Sequence, residues 1–135
     1  MLTGGCFCGY IRYEAGGTPF HETICHCTIC RRSTGGACVA WFSVPKAEFR
    51  VLSGHPAVFN STEHGTRSFC PQCGTQLTFE DTAFPEEVDV TTTSLDEPEH
   101  VGKVPPKDHT HVATRLSWLH LDDELPQFPE ARDRE

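Results

Sequence analysis

A chain of 135 residues with 37% hydrophobic content is sized for one domain around one core. Its formal charge is −8, from 11 basic and 19 acidic residues, and Arg31-Arg32 is its only adjacent basic pair. That balance argues against nucleic acid or an acidic membrane surface as partner, no run approaches the ~20 apolar residues of a membrane span, and a small-molecule ligand is expected.

Taken in chain order, the opening stretch MLTGGCFCGY has neither a basic nor an apolar leader region, so no secretory signal is expected. A cytoplasmic setting follows as the expectation, and there thiols stay reduced. Short alternating segments then recur between Gly, Pro and polar turns, which predicts strands over residues 10–14, 20–23, 37–43, 48–51, 57–60, 66–69, 75–80 and 88–92. In TQLTFE the period of two puts Leu77 and Phe79 on one face and Thr78 and Glu80 on the other. No segment carries a helical stripe, and a single helical turn is expected after Cys27. Residues 95–106 turn to proline and acids, as a connecting loop does. HVATRLSWLHL supplies a last apolar segment, and residues 126–135 read as a loosely ordered charged tail behind a single domain over 1–125. The predicted class is mainly β.

Eight cysteines need a reason in such a chain. Two C-x-C spacings, Cys6/Cys8 and Cys25/Cys27, would strain an internal disulfide, so metal binding explains the clustering better than a disulfide framework. Cys70-Pro71-Gln72-Cys73-Gly74 is spaced as a zinc knuckle, in which proline pre-sets the turn and glycine accepts positive φ. Two thiolates leave a tetrahedral ion half ligated, and Cys6-Phe7-Cys8-Gly9 is the natural second pair, making a closed structural site. A redox dithiol at Cys70/Cys73 is the competing reading, disfavoured because no βαβ pattern surrounds it.

Cys25, Cys27 and Cys30 remain as a second group, with Cys38 apart in the apolar run ACVAWF. Three thiolates leave one zinc position open, the mark of a catalytic ion, and such an ion would ionise a thiol substrate at neutral pH. The alternative is a second structural site completed by Cys38 or a histidine. His26 is expected to point away from the metal, and His21, His55 and His64 to be exposed. Arg31 and Arg32, directly after the group, are candidates for gripping an anionic substrate or for simple solvation.

The pattern C-x-C, C-x-C-x-x-C, C-x-x-C, carried by GGCFCGYIRYEA, CHCTICRRSTGGACVAWF and FCPQCGTQLTF, resembles the glutathione-dependent formaldehyde-activating enzyme family, which also includes the domain of centromere protein V. The resemblance implies a β-tent of small twisted antiparallel sheets. It implies a structural zinc on Cys6, Cys8, Cys70 and Cys73, and a catalytic zinc on Cys25, Cys27 and Cys30, two ions per chain. It also implies an activity, the joining of glutathione and formaldehyde into S-(hydroxymethyl)glutathione, the reverse of a carbon–sulfur lyase. His109, Arg115 and Trp118 fall where members often carry these residues and are read as packing or a pocket edge. The chain departs from the family at His109-Thr110-His111, where many members read His-Ile-Trp, so histidine replaces an aromatic residue. Two functional classes stand on these residues: a zinc-dependent carbon–sulfur lyase or synthase acting on a glutathione-like thiol and a small aldehyde, and a non-catalytic zinc-stabilised binding module. A zinc store is a third.

Overall fold

Short alternating segments divided by tight turns can bury their apolar residues only by pairing into sheets, and a computed structural model describes that outcome for residues 1–132. Its strands are β1 (Leu2–Gly5), β2 (Arg12–Ala15), β3 (Phe20–Cys25), β4 (Val39–Pro45), β5 (Phe49–Ser53), β6 (Ala57–Asn60), β7 (Gly65–Phe69), β8 (Gln76–Asp81), β9 (Glu87–Thr91) and β10 (Asp108–Thr110). Helix α1 (Thr28–Thr34) stands between β3 and β4. One sheet has the order β1-β2-β5 and the other β10-β3-β4-β9-β8-β7-β6. Pairings are antiparallel except that of β10 with β3, which is parallel.

Each of the eight expected strands overlaps an observed one. The two without a sequence signal are β1, whose LTGG is half glycine, and β10, three residues of DHT. The helix exceeds the single turn expected. Its first turn is capped when the Cys27 sulfur accepts the Cys30 N–H, and Gly35 closes its far end with a bond from its own N–H to the Arg31 carbonyl.

Alternation decides what each face of the large sheet meets. On β4, Phe42 and Val44 are fully buried in the main core, and on β9 Val88 and Val90 join them with Ile11 and Tyr13. Each such side chain contributes about 1.5–3 kcal/mol by leaving water. The intervening residues face the other way. Val39 and Trp41 form a smaller apolar cluster with Cys25 and Cys30, Phe79 packs against it, and Ser43 and Asp89 line an open cavity. Leu77 and Phe79, expected on one face, instead serve different clusters, Leu77 the main core and Phe79 the smaller one, because the β7–β8 register shifts between Ser68 and Phe69 and leaves Leu77 as the extra residue.

Residues 126–132 differ from the expectation of a loose tail over 126–135, of which 133–135 lie outside the described residues. Residues 126–132 run alongside β10: the His109 N–H donates to the Pro126 carbonyl, the Phe128 N–H to the His109 carbonyl, and the His111 N–H to the Glu130 carbonyl. Arg132 then makes a two-pronged pair with Asp108 at 2.7 and 2.9 Å. Backbone pairing with a sheet edge orders a segment that its charge alone leaves loose. The preceding segment HVATRLSWLHL, in contrast, adds little to the core, and Trp118 is 66% exposed. Among the described residues no helix is long and apolar enough to cross a membrane.

Candidate metal centres and the cavity beside them

Cys6, Cys8, Cys70 and Cys73 bring their sulfurs within 4.8 Å of one another, with 3.6 Å between Cys6 and Cys8 and 3.8 Å between Cys8 and Cys70. Thiolates held ~2.3 Å from one tetrahedral ion sit about 3.8 Å apart, so this donor set fits zinc. The turn chemistry makes the approach possible. Gly9 at φ 85° and Gly74 at φ 84° end the two knuckles in left-handed backbone that a side chain would strain. Backbone N–H groups of Gln72 and Cys73 donate to the Cys70 sulfur, and that of Ile11 donates to Cys6, as suits negatively charged sulfur.

Cys25, Cys27 and Cys30 form the second group, again with sulfurs within 4.8 Å and 3.5 Å between Cys25 and Cys30. Among the described residues, no fourth His, Cys, Asp or Glu joins them. All eight cysteines are free thiols. Hydrogen bonding to Cys27 and Cys30, together with burial, pushes the Cys25 thiol far up, whereas bonds from Cys25, Cys30 and the Cys30 N–H hold Cys27 well down. Three sulfurs this close cannot all carry charge on their own; a dication lets them do so. The trio therefore fits zinc, and Cys38 stands outside it, half-buried on its own with its pKa raised by burial.

The trio lies in the wall of a cavity of about 420 Å³. Its floor is the second face of the large sheet: His21, Thr23 and Cys25 from β3, Trp41 and Ser43 from β4, Asp89 from β9, Phe79 and Asp81 from β8, and Arg67 from β7. Ala131 and Arg132 of the docked chain end complete the wall. His21 is thus a cavity residue rather than an exposed one, and it holds φ at 51°. His111 also lines the cavity, at φ 56°.

His26 points away from the trio, as expected, but inward. It is 1% exposed, and its Nε2 lies 2.9 Å from Nδ1 of His109. The Asp123 carboxylate accepts from His109 Nε2–H at 2.8 Å, which leaves Nδ1 as an acceptor and makes His26 Nε2–H the donor. Burial, with the neighbouring His109, Arg115 and Arg31, lowers the His26 pKa and keeps the ring neutral. Arg31 and Arg32 stand in the last turn of α1, outside the residues that line the cavity. Of the three residues read as packing or pocket edge, His109 is buried packing, while Arg115 and Trp118 are exposed and do not line the cavity. Residues that carried no sequence signal for the site are Arg67, Trp41, Phe79 and Asp123. Each is brought there by strand register or by the path of the chain end.

Known proteins resemble this chain in fold or in sequence. A Rhodobacter sphaeroides protein of known crystal structure is 27% identical, with a TM-score of 0.58 over 76% of this chain and 97% of that one. A Halomonas elongata protein named "Putative glutathione-dependent formaldehyde-activating enzyme" is 26% identical over 130 residues, 90% of this chain and 82% of its own length. Residues 1–114, which hold all seven clustered cysteines, match the family described as "Glutathione-dependent formaldehyde-activating enzyme". The chain belongs to that family.

Proposed function

We propose that the protein joins a glutathione-like thiol to formaldehyde or another small aldehyde, acting as a carbon–sulfur lyase run in the synthetic direction. The observation that carries this is the contrast between the two cysteine groups. Four sulfurs complete one tetrahedral set, while three sulfurs with no fourth protein donor among the described residues line a cavity large enough for a small organic thiol.

Cys6, Cys8, Cys70 and Cys73 would hold a structural zinc, and Cys25, Cys27 and Cys30 a catalytic one. Zinc at the second set supplies the Lewis acidity that ionises a thiol at neutral pH. The protein's own part is positioning. The capped first turn of α1 sets Cys27 against Cys30, and the His26–His109–Asp123 chain pins the backbone between Cys25 and Cys27. Trp41 and Phe79 give the cavity an apolar wall beside the sulfurs. The thiol sulfur then attacks the aldehyde carbon, so a C–S bond forms as the C=O π pair moves to oxygen. That oxygen takes up one proton, and the thiol has lost one.

The test is exchange NMR of glutathione and formaldehyde with and without the zinc-loaded protein. Accelerated exchange supports the reaction. Exchange at the uncatalysed rate removes this substrate pair and favours a zinc-stabilised binding module.

A further inference from the structure

Arg67 is among the most buried charged residues of the protein, at 3% exposure. Its guanidinium centre lies 4.9 Å from the Phe79 ring centroid and 5.9 Å from that of Trp41, and its Nη2 lies 3.6 Å from the Cys30 sulfur. Nε and Nη1 are buried without a hydrogen-bond partner. Among the described residues, no carboxylate pairs with it. Aromatic faces and one sulfur contact do not satisfy a buried guanidinium, and N–H groups left unbonded away from water are costly to keep. Arg67 lines the cavity, so an acceptor brought by a ligand would meet this need. Because the guanidinium already touches one sulfur of the trio, such an acceptor sits close to the ligand's own sulfur.

We propose that Arg67 receives an anionic oxygen held two or three bonds from the sulfur of the bound thiol. This rests on the thiol–aldehyde reaction proposed above, in which the oxygen is that of the aldehyde. As sulfur adds to carbon the π pair moves onto that oxygen, one bond beyond the new C–S bond. Arg67 N–H groups, fixed in advance by the two aromatic rings, stabilise the developing charge until water returns the proton that the thiol released. Net, one thiol and one formaldehyde give one hydroxymethyl thioether.

A binding measurement tests this without turnover. Mercaptoacetate places carboxylate oxygens three bonds from its sulfur, and 1-propanethiol is a near isostere without them. Calorimetric titration of the zinc-loaded wild type is expected to favour mercaptoacetate by about tenfold or more, the worth of a charged hydrogen bond. In Arg67→Met that ratio is expected to fall to within about twofold of unity while both zinc ions remain. Arg67→Lys keeps the charge and loses the planar fork, so its ratio falls between the two. No preference in the wild type, or an unchanged ratio in Arg67→Met, overturns the proposal. So does loss of zinc and of both thiols together in Arg67→Met, which would make the arginine a counter-ion only. Where Met is not tolerated in the core, a wild-type ratio in Arg67→Lys is the overturning result. In turnover, Arg67→Met is expected to lower kcat about 100-fold with little change in KM for the thiol. A wild type that accelerates nothing removes the proposed reaction alone, and the mercaptoacetate ratio still decides for or against Arg67.

Discussion

His26 and His109 lie 83 residues apart in the chain, yet their ring nitrogens meet at 2.9 Å in the protein interior. The parallel pairing of β10 with β3 sets His109 opposite Ile24, two residues before His26, and the His26 N–H donates to the Thr110 carbonyl. With the Thr114 hydroxyl donating to the His26 carbonyl, two side-chain bonds and one backbone bond thus hold the residue between two candidate zinc ligands.

Removing this anchor is expected to loosen the three-cysteine site selectively. His109→Ala leaves the His26 donor buried and unbonded, at a cost of about 1–3 kcal/mol. Zinc affinity at Cys25, Cys27 and Cys30 is expected to fall about 10-fold or more, as happens when outer partners of metal ligands are lost. Competitive chelation followed by metal analysis checks this: one ion leaves early and the other is retained as in the wild type. Equal loss of both would contradict the assignment.

Metal analysis of single cysteine variants separates the two groups. Wild type is expected to bind two zinc ions and Cys27→Ser one, with Cys27→Ser keeping its near-ultraviolet circular dichroism. Cys70→Ser is expected to lose cooperative folding, because the four-cysteine set ties Cys6 and Cys8 to a knuckle more than sixty residues later and metal binding there is folding energy. An unfolded Cys27→Ser protein would make the second ion structural.

Acid stability has an identifiable carboxylate. The Arg12 guanidinium, with the Thr3 hydroxyl, holds Asp96 down at about 2 from an ordinary value of 3.8. A depressed folded pKa contributes stability that is complete above the ordinary value and disappears as pH falls through the folded one. The stability difference between wild type and Asp96→Asn, by urea unfolding, is therefore expected to be constant from pH 7 to about 5 and to shrink from about 4 toward 2. A gap that widens on acidification would show that another group governs the difference. The pair is partly exposed, so raised salt should reduce the gap at every pH.

The docked chain end is expected to matter to the cavity. Arg132→Ala removes both bonds to Asp108, whose side chain is 12% exposed, and leaves that carboxylate poorly solvated, at about 1–3 kcal/mol. Amide exchange should quicken in β10 and spare β8 and β9, which pair far from that edge. Uniform acceleration across the sheet would mean that the contact supports the whole fold rather than one wall of the site.

The cysteine groups were legible because ligand spacing is local. C-x-C-G, C-x-C-x-x-C and C-P-x-C-G each fold into a turn that aims sulfur inward wherever the rest of the chain lies. The strands with period-two patterning were legible for the same reason, while β1 and β10 were too glycine-rich or too short to show it. Arg67 was not legible: an arginine on a strand is ordinarily a solvated side chain.

What the sequence determined alone is the mainly β class, the three local cysteine turns, and the glycines that let the knuckles turn, since each follows from neighbours within a few residues. What only the tertiary structure decided is the cavity. The register of β7 on β8 and of β8 on β9 carries Arg67 and Phe79 to Trp41 and the trio, and the parallel β10 brings His109 to His26. Those meetings depend on pairings across tens of residues, which burial of Phe42, Val44, Val88 and Val90 on the opposite face selects and no local pattern records.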